Sequence, residues 1–96
     1  NEGFATYAGW LAVKHICTDW DVDSIVFDME FVRGLKADGF ASTHAVEIDP
    51  TIDDVDKISL LVDSITYSKG FGCLAVAAQY CGKENFRAGV SAYIKK

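Results

Sequence analysis

The chain has 96 residues, half of them hydrophobic and 12% aromatic, and its single proline is Pro50. That is room for one domain near the lower size limit for a self-sufficient core, and it excludes disorder and collagen-like repeats. Nine Lys and Arg against fourteen Asp and Glu leave a net charge of −5, with the acids spread along the chain. Neither nucleic acid nor an anionic membrane surface is an expected partner.

The pattern predicts an all-α chain of about five helices. The first runs from a cap at Asn1 to about Cys17. Its stretch from Gly3 to Val13 carries no charge and its apolar residues form no single stripe, the mark of a helix buried all round. Thr18 or Asp19 caps a second helix, with Val22, Ile25, Met29 and Val32 at helical spacing and Gly39 as its stop. Gly34 within it is expected to loosen the last turn.

The segment FASTHAVEIDP lacks a helical period and reads as extended. Thr51 opens a T-x-x-D capping box before a short third helix through Val55, Ile58, Leu61 and Val62. The fourth helix starts near Ser64 to Thr66 and ends at Gly82, again nearly uncharged and of buried type. The fifth begins at Lys83 and is amphipathic, with Phe86, Val90, Tyr93 and Ile94 expected inward.

Cys17, Cys73 and Cys81 cannot all pair, and Cys73 and Cys81 would lie roughly 12 Å apart along a helix. Free thiols in a reducing compartment are expected. The uncharged run from Gly70 to Gly82 falls short of the ~20 residues of a membrane helix. Two helices of buried type in so short a chain leave apolar faces that three partners cannot cover. Either the chain oligomerises or it is cut from a larger domain that covers these helices; a first residue that is not Met favours the second, and one incomplete domain over residues 1–96 is expected.

Few residues suggest chemistry on their own. Glu2 suits the positive end of a helix dipole. His15, Cys17, His44, Cys73 and Cys81 lack the spacing of a structural zinc site. Tyr67, in SITYSKG, is either a core tyrosine or a phenol aimed into a cleft, where it would donate a hydrogen bond to a developing oxyanion. No G-x-S-x-G, P-loop or dinucleotide-binding glycine pattern occurs.

Taken in order, NEGFATYAGW, ASTHAVEI and DSITYSKG resemble the gluzincin aminopeptidases of the M1 family, and most of all their puromycin-sensitive, cytosolic-type branch. The closing KENFRAGVSAYIKK resembles the helix that follows in that family, so the likeness covers essentially the whole chain. The resemblance implies the C-terminal helical part of a thermolysin-like catalytic domain. It also implies a peptide substrate and one zinc ion in the parent enzyme, with Glu2 as third zinc ligand and Tyr67 stabilising the tetrahedral intermediate. H-E-x-x-H, which supplies the other ligands and the general base, is not in this chain. The isolated chain is therefore expected to be inactive, to hold zinc weakly and to need the remainder of the catalytic domain as its partner. Ala45 stands where a proline usually follows the loop histidine, and Phe71-Gly72-Cys73-Leu74 replaces A-S-x-L. The thiols and the branch resemblance lean towards the cytosol, although the family also has membrane-anchored members. The alternative is a non-catalytic helical interaction protein, a truncated or decayed paralogue that uses its bare helices to bind a partner.

Overall fold

The computed structural model describes residues 2–47 and 62–96. The expected cap at Asn1, the end of the extended segment and nearly all of the expected third helix lie outside them. Among the described residues the fold is all-α, with four helices and no strand. Helix α1 spans Glu2–Ile16. Helix α2 is continuous over Val22–Val26, Phe27–Val32 and Arg33–Asp38. Helix α3 joins Ile65–Lys69 to Gly70–Cys81, and α4 spans Lys83–Ile94.

Local chemistry sets the ends. Glu2 lies in the first turn of α1, and Lys14 and His15 in its last, each matched to the helix dipole. Asp21, rather than Thr18 or Asp19, caps α2: its carboxylate accepts from the Ser24 amide at 3.3 Å and the Ser24 hydroxyl at 2.6 Å. Those two bonds hold the Asp21 carboxyl below its ordinary value. Gly39 ends α2 and Gly82 separates α3 from α4, both as expected. Gly82 adopts φ +81°, a backbone region open to glycine at little cost.

Two stretches, Phe27–Val32 and Ile65–Lys69, are wound as π-helix. An i→i+5 turn spends an extra residue and rotates the apolar face. Met29, on the expected stripe, is therefore 54% exposed. Phe31 turns inward instead, its ring edge-on to Phe71 at 5.5 Å.

Helix α3 is the axis of the molecule, with α1, α2 and α4 packed against it. Val22, Ile65, Phe71 and Ala78 form its buried apolar core. Phe71 fills the centre, with Tyr7 at 6.1 Å on its other side, and Tyr7 in turn meets Phe86 of α4 edge-on at 5.6 Å. Helices α1 and α3 are buried on one side only. Leu11, Ile16, Val76 and Tyr80 are exposed, Tyr80 at 91%. The expected inward set of α4 is half right: Phe86 and Val90 are partly buried, whereas Tyr93 and Ile94 are exposed. Among the described residues, the last turn of α4 is left largely uncovered.

Candidate active site

Two glycine crossings position the candidate residues. At Gly3, next to Glu2, a Cβ would fall 2.6 Å from the Gly70 carbonyl carbon and 2.8 Å from the Phe71 nitrogen. Helices α1 and α3 thus touch backbone to backbone. At Gly34 a Cβ would fall 2.9 Å from the Lys69 nitrogen, so α2 meets the same stretch of α3. Gly34 does not loosen α2, as its low helix propensity suggested; it lets α2 dock. The turn carrying Tyr67 is thereby held between two bare helix surfaces.

Hydrogen bonds fix the same turn. Asp63 Oδ1 accepts from the Ile65 and Thr66 amides at 2.9 and 3.1 Å. The Thr66 hydroxyl accepts from the Asp63 amide at 3.2 Å. This is a reciprocal cap on the first turn of α3. Asp63 Oδ2 lies 2.8 Å from His44 Nε2, and His44 Nδ1 lies 2.8 Å from the Ala45 carbonyl oxygen. Hydrogen bonds to Asp63 and then to Ala45 push the His44 imidazole above its ordinary value. Partial burial of Asp63 pushes its carboxyl up, but the hydrogen bonds from His44, Thr66 and Ile65 outweigh it and hold it low.

On the other side of the turn, the Glu30 carboxylate accepts from the Ser68 hydroxyl at 2.8 Å and the Trp10 indole N–H at 3.1 Å, tying three helices together. Ser68 is 1% exposed. Lys69 Nζ donates to Asp38 at 2.6 Å, and that bond, with one from Thr43, holds the Asp38 carboxyl low. Arg33 Nε donates to the Ser64 hydroxyl at 3.0 Å.

Tyr67 itself is 40% exposed. It lines a cleft of about 240 Å³ together with Glu30, Arg33, Asp63 and Ser68. Glu2 does not line that cleft; it sits partly buried at the start of α1, joined to the Tyr67 turn through the Gly3–Gly70 crossing. Its carboxyl lies below the ordinary value, chiefly through its own backbone N–H, and is anionic at neutral pH. An anionic carboxylate fits one ligand position of a zinc ion. Among the described residues no group of three His, Cys, Asp or Glu is gathered to complete such a site.

Sequence reasoning missed Glu30, whose only signal was an acid in the middle of a helix, and the use of Gly3 and Gly34 as contact surfaces. His44 and Asp63 stood inside the quoted motifs, but nothing in their spacing announced that they pair. Cys17, Cys73 and Cys81 are free thiols.

The model of the peptidase family M1 domain matches residues 1–96, and the chain belongs to that family. The tricorn protease-interacting factor F2 of Thermoplasma volcanium is 38% identical over 96 residues, covering 100% of this chain and 12% of its own length. Aminopeptidase M1-A of Oryza sativa subsp. japonica is 35% identical over 96 residues, 100% of this chain and 11% of its own. The alanine/arginine aminopeptidase of Saccharomyces cerevisiae is 33% identical over 96 residues, again 100% and 11%. The chain thus spans about a tenth of the length of these relatives. No solved structure gives a significant match. Among the described residues no helix is long and apolar enough to cross a membrane.

Proposed function

We propose that this chain is part of the catalytic domain of a zinc aminopeptidase that removes N-terminal amino acids from peptides. The observation that carries the reading is the Gly3–Gly70 crossing. It ties the backbone bearing Glu2 to the turn bearing Tyr67, whose side chain borders an open cleft. Glu2 is the carboxylate ligand of the zinc, the other donors coming from outside this chain. When bound, the zinc polarises the scissile carbonyl and lowers the pKa of a bound water.

The residues of this chain have two tasks. Glu2 keeps an anionic oxygen fixed at the mouth of α1. The Tyr67 hydroxyl donates a hydrogen bond to the carbonyl oxygen as negative charge develops there, which stabilises the transition state more than the bound substrate. The exposed apolar residues of α1, α3 and α4 dock on the remainder of the domain. The isolated chain is inactive, since one carboxylate does not replace a ligand set. We assign the parent to the cytosol on its free thiols and its resemblance to the cytosolic branch.

The test is Tyr67→Phe in the full-length peptidase, assayed on aminoacyl p-nitroanilides. The expected result is a loss of about 10²–10³ in kcat with KM little changed, as for a donor that acts only in the transition state. An unchanged kcat removes Tyr67 from the mechanism.

A further inference from the structure

We propose that His44 is a positioning residue for Tyr67, acting through Asp63, which it holds in place as the cap of the turn that carries the phenol. The inference rests on the role given to Tyr67 above. His44 lies in the loop after α2, far along the chain from α3, and its ring spans two groups that can only accept. These are the Ala45 carbonyl oxygen and the Asp63 carboxylate, each at 2.8 Å. Both ring nitrogens must then donate, and the ring is an imidazolium. One oxygen of Asp63 is spent on this cation, while the other takes the Ile65 and Thr66 amides. Tyr67 follows directly, its own amide bonded to the Asp63 carbonyl at 3.1 Å.

The carboxylate is thus fixed at both ends: it cannot rotate away from the cap without leaving His44. Among the described residues, the charged groups facing His44 are Asp63, which favours the cation, and Lys69, which opposes it and is itself held by Asp38. His44 does not line the cleft. It reaches the chemistry by setting where the first turn of α3 begins, and hence the direction in which Tyr67 leaves it.

The experiment compares His44→Gln, Asp63→Asn, their double variant and Tyr67→Phe in the full-length peptidase, with kcat and KM measured for each. His44→Gln lowers kcat about tenfold with KM within about twofold, inside the ~10²-fold that a misplacement of 1 Å costs. The double variant is no worse than the poorer single one, because both break one link. His44→Lys, which restores a cationic donor, recovers part of the loss. Independently of activity, amide exchange at Ile65 and Thr66 accelerates in His44→Gln. A kcat within twofold of wild type in His44→Gln, beside a crippled Tyr67→Phe, overturns this inference and leaves the proposed function standing. An unaffected Tyr67→Phe overturns both. If His44→Gln fails to fold, Asp63→Asn decides: it keeps an oxygen for the cap, and wild-type kcat in it overturns the inference.

Discussion

Replacing Gly3 with Ala measures how strictly the two helices require bare backbone. The new Cβ would lie 2.6 Å from the Gly70 carbonyl carbon, 2.8 Å from Gly70 Cα and 2.8 Å from the Phe71 nitrogen. Carbon atoms attract at about 3.5–4.0 Å, so the helices must part by about 1 Å. All three obstacles are backbone, and no side chain can swing aside. Overpacking of this kind costs about 3 kcal/mol at the upper end of its usual range, and alanine's better helix propensity offsets about 1 kcal/mol of it. The net loss of about 2 kcal/mol corresponds to a fall in Tm of roughly 8–15 °C for a chain of this size. Gly9, on the same helix, is the internal control. Among the described residues nothing lies within 4 Å of its Cβ position, so Gly9→Ala should stabilise by up to about 1 kcal/mol. Urea unfolding followed by circular dichroism separates the two. If Gly3→Ala proves as stable as Gly9→Ala, the backbone contact is not what holds α1 against α3.

Ser68→Ala removes the buried hydroxyl that donates to Glu30, and should cost about 2 kcal/mol in urea unfolding, the scale of a hydrogen bond to a charged group. A loss under about 0.5 kcal/mol would show that the Glu30 bridge does not stabilise the three-helix junction. The His44–Asp63 pair predicts a pH window. His44 is raised, so its contribution is complete below its ordinary 6.5 and is lost as pH climbs through the folded-state value. Asp63 is depressed, so its contribution is complete above its ordinary 3.8 and is lost as pH falls through the folded-state value. The stability gap between wild type and His44→Gln should be widest between those two ordinary values and close on the alkaline side. Parallel stability–pH curves for the two proteins would refute the pairing.

Much of the helical layout was legible in residues whose physics is local. Gly39 and Gly82 end helices as read, Gly82 in a backbone region that favours glycine, and Lys83 opens α4. What the sequence could not display was winding. Phe27–Val32 has ordinary helical periodicity, and the extra residue of its π turns brings Phe31 rather than Met29 against Phe71. Nor did an uncharged run mean burial. The composition of α1 and α3 describes the neighbours those helices are suited to, whereas their exposure depends on the neighbours present. For the candidate site, Glu2 and Tyr67 were marked by resemblance, while the contacts that hold their surroundings were invisible. Trp10, Glu30 and Ser68 meet only after folding, and a glycine used as a docking surface is spelled the same way as a glycine that weakens a helix.

The absence of side chains at the Gly3 and Gly34 crossings has a mechanical consequence. Side chains between helices act as a compliant layer: rotamers shift and small displacements are absorbed before they reach the neighbouring backbone. At these two crossings there is no such layer, so a push on α1 or α2 reaches the Tyr67 turn almost undiminished. The first turn of α3 and the helix ends on either side of it therefore move as one block, and any opening or closing of the cleft has to hinge in elements other than these.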